Sequence, residues 1–275
     1  MCTLVLLRRP GHDWPLLLAA NRDEMLSRPW RPPGRHWPDR PEVVAGQDEL
    51  AGGSWLGIND HGVVAAVLNR RGSLGPAAGK RSRGELVLDA LDFEDAASAA
   101  AALADLDPDA YRPFNLIVAD PVNAYWLRHA GGLPGFGFRA ADGTWREVEA
   151  TQMPREAHGA ESLPSIETRP VPDGLSMITA RDLNDPASSR IRLHRPRFAA
   201  APVPDPGRGD WSGWNVCLGS RDSEDGDPAN AMTIVTGRDY GTVCSSLVAL
   251  PAAGPPKLWF APGRPDRTPF EPVLV

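Results

Sequence analysis

Apolar positions along the chain fall mostly into short runs of four to seven, bounded by glycine, proline, asparagine and aspartate, which is a strand-rich pattern. Residues 3–7 read as a buried strand, residues 8–13 as a turn and residues 16–20 as the returning strand. A short strand starts at Val43. Residues 55–59 and 63–68 flank Asn59-Asp60-His61-Gly62, a hairpin signal with suitable turn chemistry. Residues 114–119 and 124–128 pair across a second turn, with short strands expected at 137–139 and 145–148, then a long loop. Residues 175–180, 231–236, 242–248 and 258–260 complete the strands. Helical periodicity predicts elements over 86–91, behind the capping-box spacing Ser82-Arg83-Gly84-Glu85, and over 93–106 with Asp92 as cap. A basic helix begins at Asp185-Pro186 and is expected to end at Pro196. Trp211, Trp214 and Leu218 form a core-facing helical stripe. Residues 27–41, rich in proline with Trp30 and Trp37, read as an ordered loop, either a cleft wall or a surface staple. Gly52-Gly53 permits close backbone approach. Strands, two helices, strands, one or two helices, then strands suit an α+β protein of two stacked antiparallel sheets covered by helices.

Length and composition narrow this picture. A chain of 275 residues, 42% apolar and 23% charged, has the make-up of a globular protein, and the pattern reads as one domain over 1–275. The net charge of −6 argues against a general nucleic-acid binder. Cys2, Cys217 and Cys244 form neither a zinc-ligand spacing nor a disulfide framework, so no metal is expected. The apolar start stops at Arg8-Arg9-Pro10, too short for a signal peptide or a membrane span, and a reducing, cytoplasmic setting is the expectation. Arg70, Arg71, Lys80, Arg81 and Arg83 share a glycine-rich loop, readable as a solvated surface or as an anion-binding rim. Oligomeric state is not readable from the chain.

The chemistry concentrates at the start. Cys2 directly follows the initiator methionine, and its small side chain is compatible with methionine removal. One residue would then carry both a thiol and an α-amine with a pKa of about 7.7–8.0, able to take the thiol proton. The first hairpin would return Asn21-Arg22-Asp23-Glu24 beside residue 2, where the Asp23 carboxylate could orient the terminal ammonium. Strand alternation turns Arg22 away from Asn21 and Asp23.

Cys2-Thr3-Leu4 followed by Asn21-Arg22-Asp23-Glu24, with Gly-Gly-Ser-Trp-Leu-Gly-Ile-Asn and Gly-Val-Val-Ala-Ala-Val-Leu-Asn-Arg within residues 52–70, resembles the NRDE family, whose eukaryotic members include transport and Golgi organisation protein 2. That family in turn resembles the N-terminal nucleophile hydrolases, especially the bile-salt hydrolase and penicillin V acylase branch. The resemblance implies a four-layer αββα sandwich and a cysteine amidohydrolase. Cys2 would be the nucleophile, Asp23 its carboxylate partner and Asn69 the oxyanion-stabilising amide. Asn21, Arg22, Trp55, Asn59 and Asn184 are the candidate substrate contacts for a small linear or N-acyl amide. Three positions depart from the pattern: Ala20 replaces an arginine, Met177 replaces a downstream asparagine that Asn184 could replace only by shifted geometry, and Val243-Cys244 stands where a late arginine is usual. The alternative that the resemblance leaves open is a non-catalytic haem or lipid carrier using the same cleft, with Cys2 as an axial thiolate; the enzyme reading requires no cofactor.

Overall fold

The computed structural model describes residues 2–131, 137–139, 145–147 and 165–275. The first hairpin forms as expected from β1 (Thr3–Arg8) and β2 (Leu16–Glu24), in the register Thr3↔Asn21 to Arg8↔Leu16. Alternation then divides the side chains. Leu4, Leu6, Leu16 and Leu18 enter one apolar layer, while Val5, Leu17 and Ala19 enter another.

The remaining strands are β3 (Trp30–Gly34), β4 (Val43–Asp48), β5 (Leu56–Asn59), β6 (Val64–Asn69), β7 (Phe114–Ala119), β8 (Ala124–His129), β9 (Gly137–Arg139), β10 (Trp145–Glu147), β11 (Ile166–Pro170), β12 (Gly174–Ile178), β13 (Gly241–Leu250), β14 (Lys257–Ala261) and β15 (Glu271–Val273). One six-stranded sheet runs β12-β1-β2-β13-β14-β15, and a seven-stranded sheet runs β11-β8-β7-β6-β5-β4-β3. β9 and β10 pair with each other; most of the long loop expected after them lies outside the described residues. Between the two large sheets, Leu4, Leu16 and Leu18 meet Leu56, Ile58, Leu68 and Ile117. Each such fully buried side chain contributes about 1.5–3 kcal/mol. Helices α1 (Gly84–Leu91) and α2 (Ala96–Ala104) cover the outer face of the second sheet through Leu86, Val87 and Leu103. Helices α3 (Ser189–Ala200) and α4 (Ser212–Leu218) cover the first through Ile191, Phe198, Trp214 and Leu218. This is the αββα order. No helix among the described residues is long and apolar enough to cross a membrane.

Several boundaries depart from expectation. β3 lies inside the proline-rich segment, at a sheet edge, with its register broken between Arg31 and Gly34, where Pro32 and Pro33 have no N–H to donate. The second helix starts at Ala96 under Asp95, which accepts from Ser98 N–H at 2.8 Å; Asp92 is instead held by Arg40 Nε at 2.8 Å. α3 runs through Pro196 to Ala200 because Phe198, beyond the proline, buries itself in the outer core. Residues 231–236 form no strand; they touch β13 by the single bridge Val235↔Gly241, beyond the stretch Ser245–Ala249 that pairs with β14, with Thr242 N–H donating to Ile234 O at 3.1 Å. β11 and β15 carry too few apolar residues to show in the pattern. The basic loop is largely spoken for: Arg70 pairs with Asp182 at 2.6 Å, Arg81 with Glu85 at 2.7 Å, and Arg83 donates to Ser73 O at 2.7 Å.

Candidate active site

The register of the first hairpin sets out the site. Thr3 partners Asn21, so one residue earlier Cys2 stands opposite Arg22, and the register of β2 with β13 puts Cys244 opposite Arg22 on the far side. Cross-strand partners share a face. Cys2, Arg22 and Cys244 therefore line one narrow space between the sheets, together with Trp55, Leu56 and Leu68. The space is apolar and encloses about 20 Å³, room for one water-sized group.

Asp23 reaches the thiol through its main chain. Its N–H donates to Cys2 Sγ at 3.4 Å, and the thiol points to Asp23 O at 3.6 Å. Its carboxylate lies on the opposite face of the strand, fully buried. There Thr242 Oγ1 donates to Oδ1 at 2.6 Å and Arg190 Nη1 to Oδ2 at 3.3 Å; the same Nη1 donates to Thr3 Oγ1 at 2.6 Å, and Nη2 to Ala229 O at 2.7 Å. Arg190, at the start of α3, is a site residue that sequence reasoning missed. Its signal was a stripe of Arg190, His194 and Phe198 at i, i+4 and i+8, which places an arginine on the buried side of a helix.

Burial foremost, and then the Asp23 carboxylate, push the Cys2 thiol above its ordinary range; the Asp23 N–H and the Arg22 charge oppose them. With Met1 still attached, the thiol is therefore protonated at neutral pH. Met1 itself lies outside the described residues. Burial raises the Cys244 thiol strongly as well.

Arg22 is 5% exposed. Its Nη2 donates to Asp48 Oδ2 at 3.2 Å and its guanidinium stacks on the Trp55 ring at 4.2 Å. Its buried Nη1 has no partner among the described residues. The Trp55 ring can lie there because residue 46 is glycine: a Cβ at Gly46 would stand 2.3 Å from the ring. Gly53 likewise allows the contact anticipated at Gly52-Gly53, with an added Cβ only 2.4 Å from the Gly84 backbone.

The other candidates are placed differently. Asn69 closes β6, half-buried, one residue beyond the cavity-lining Leu68. Asn21 borders the cavity, but its amide faces α4, donating to Leu218 O at 3.1 Å and Met232 O at 2.9 Å and accepting from Ser245 Oγ at 2.7 Å. Asn59 is wholly buried away from the thiol: it donates to Leu91 O at 2.9 Å and Phe93 O at 2.8 Å and accepts from Val63 N–H, tying the β5–β6 turn to the end of α1. Asn184, with φ 59°, accepts from Met177 N–H at 2.8 Å and donates to Ser176 Oγ at 3.1 Å, so its amide serves the free edge of β12. Met177 is buried in the outer core. The structure thus brings Cys2, Asp23, Arg22 and Trp55 together, and commits the amides of Asn21, Asn59 and Asn184 elsewhere.

The model of the Transport and Golgi organisation 2 family matches residues 1–255. The Transport and Golgi organization protein 2 homolog of Bos taurus is 39% identical over 117 residues and that of Homo sapiens 37% over 110; each match covers 38% of this chain and 38% of the relative. Among solved structures, an N-acylethanolamine-hydrolyzing acid amidase ortholog of Caenorhabditis elegans superposes with a TM-score of 0.51 at 13% identity, over 90% of this chain and 92% of its own, a likeness of fold. A conjugated bile acid hydrolase variant from Clostridium perfringens aligns at 11% identity over 100% of this chain and 97% of its own, with a TM-score of 0.49. With its Cys2 and Asn21-Arg22-Asp23-Glu24 signature on an αββα sandwich of the N-terminal nucleophile hydrolase type, the chain belongs to the Transport and Golgi organisation 2 family.

Proposed function

We propose that the protein is a cysteine N-terminal nucleophile amidohydrolase acting on a small linear or N-acyl amide after removal of Met1. The observation that carries this reading is the Cys2 thiol on the wall of an apolar space, bonded to the Asp23 main chain, with the buried Arg22 lining the same space. Removal of Met1 gives Cys2 an amine in place of an amide nitrogen, which cannot act as a base. The amine takes the thiol proton and the thiolate adds to the amide carbonyl carbon. The carbonyl oxygen becomes an oxyanion, for which the Arg22 guanidinium on the wall of the space supplies positive charge, with Asn69 as the amide donor implied by resemblance. One such donor lowers the barrier by about 2.7–4 kcal/mol. The ammonium then gives its proton to the leaving nitrogen as the C–N bond breaks. A thioester remains, and water attacks it to release the acid and restore the thiol. Asp23, locked by Arg190 and Thr242, holds the ammonium through this cycle.

The test is amine release from a panel of linear and N-acyl amides by protein whose intact mass shows loss of Met1. Cys2→Ala should abolish release. A chain bearing an N-terminal extension should be inactive until it is cut back to Cys2. Full activity with Met1 quantitatively retained would refute the mechanism.

A further inference from the structure

The space beside the Cys2 thiol is small, and its walls are held from behind. It encloses about 20 Å³. Leu56 and Leu68 on its wall are 2% and 4% exposed and belong to the core between the sheets, against which Cys2 itself packs. Cys244, 0% exposed, closes the β13 side. The Trp55 ring is clamped by the Arg22 guanidinium at 4.2 Å and by Trp30, edge-on at 5.9 Å between centroids; Phe260 backs Trp30 at 5.7 Å. Interiors packed in this way take up an extra methylene only by displacing side chains.

The two halves of an amide part company at the thiol. The acyl half stays on Sγ as a thioester while the amine leaves and water comes in, so the amine side needs the route to solvent. Cys2 is half-buried, and the apolar space lies on its inner side, among residues of the core. The substituent on the carbonyl carbon is therefore the part that enters this space.

We infer that the acyl group carried by Cys2 is acetyl and that the substrate is an N-acetylated amine, an inference that rests on the amidohydrolase reading above. A methyl group is close to water in size and fills the space. A formyl hydrogen would leave it empty, and an ethyl or longer chain would have to displace Leu56, Leu68 or Trp55. The thiolate adds to the acetyl carbonyl carbon and the C–N bond breaks. The amine leaves with the proton of the terminal ammonium, and water converts the S-acetyl group to acetate and the free thiol. Leu56 and Leu68 set the length of acyl chain that the thiol accepts.

The test uses the para-nitroanilides of acetic, propionic, butyric and octanoic acids with protein whose intact mass shows loss of Met1. All four release the same amine, so rate differences report the acyl group alone. kcat/KM should fall by about tenfold or more from acetyl to propionyl and again to butyryl, the usual discrimination for one methylene in an apolar pocket. Leu68→Ala should raise the ratio of butyryl to acetyl turnover by about tenfold or more. Acylation of Cys2 by para-nitrophenyl acetate and butyrate, followed by intact mass and divided by the rates with free cysteine, tests the wall without amide cleavage and without any variant. It should favour acetate by about tenfold or more. Butyryl or octanoyl anilide cleaved as well as acetyl would overturn the inference and leave the amidohydrolase reading standing. No release from any anilide, with the acetate preference kept in the esters, would refute amide cleavage and uphold the acetyl-sized space. No acetyl preference in the esters would overturn the inference even if Leu68→Ala folds poorly.

Discussion

The buried pair formed by Asp23 and Arg190 makes a quantitative prediction. The Asp23 side chain is 0% and the Arg190 side chain 4% exposed, and they meet at 3.3 Å. Neutralising one partner of such a pair strands the other charge and costs about 3–5 kcal/mol, whereas replacing both removes the stranded charge. Asp23→Asn and Arg190→Met are therefore each expected to lose about 3–5 kcal/mol, which is roughly 6–20 °C in melting temperature at about 2–4 °C per kcal/mol. The double variant should lose no more than either single one. Urea unfolding of the four proteins, with equal slopes in denaturant, measures the cycle. Additivity of the two single losses within about 0.5 kcal/mol would refute the ion-pair reading. A thiol readout separates the two residues. The Asp23 carboxylate helps push the Cys2 thiol up, so in protein that retains Met1 the Asp23→Asn variant should alkylate faster at fixed pH. Slower alkylation would mean that Asp23 acts on the thiol by some means other than its charge.

Three further outcomes follow from the same geometry. Burial lowers His194 to about 4, and its Nδ1 has no partner among the described residues, so folding must keep the ring neutral. The unfolded chain binds that proton at pKa ~6.5, so this stability is present above pH ~6.5 and is lost as pH falls toward 4, up to about 3 kcal/mol; His194→Gln should flatten that part of the acid-unfolding curve. Removal of Met1 should raise the rate of Cys2 alkylation by iodoacetamide at pH 7.5 by roughly tenfold or more, the effect of one pKa unit on thiolate fraction, and an unchanged rate in mass-verified protein would deny the amine its role as base. Gly46→Ala should displace the Trp55 ring and cost about 1–3 kcal/mol, with a matching fall in amide turnover as Arg22 loses its stacking partner; unchanged stability would mean that the ring yields freely.

What the sequence made legible was local. The first hairpin, the β5–β6 hairpin, the cap spacing before α1 and the Trp211–Trp214–Leu218 stripe each follow from a few neighbouring residues. What stayed hidden was decided by distant partners. Asp92 is as good a cap as Asp95 until Arg40, 52 residues away, takes it. Residues 231–236 have a strand composition, but their polar groups are taken by distant partners: the carbonyl of Met232 by Asn21 and the N–H of Ile234 by the Thr242 hydroxyl. Asn59 and Asn184 carry side chains suited to substrate contact, yet turns and edges also need amides, and nothing local tells the two uses apart.

The tetrad itself shows how far alternation can be pushed. Period two already requires Arg22 to leave the face shared by Asn21 and Asp23. It does not say which face holds the Cys2 thiol until the register is known. Once Thr3 is opposite Asn21, Cys2 must share its face with Arg22, and the Asp23 carboxylate must lie behind the strand. The acid is then too well buried to meet an incoming substrate, and Arg190 and Thr242 are free to lock it. The cation, lodged between Asp48 and Trp55, is the member of the tetrad that faces the cavity. On the proposed mechanism a single strand separates two tasks: one face would orient the terminal residue through Asp23, and the other carries the thiol and Arg22 that line the same small space. Arg22→Met tests this division. If Arg22 acts on the oxyanion, the rate of turnover should fall by about 10²–10³ with KM little changed, the pattern of an interaction made mainly in the transition state. If it only supports the cavity wall, Met, which can pack on Trp55 without a charge, should keep most of the turnover.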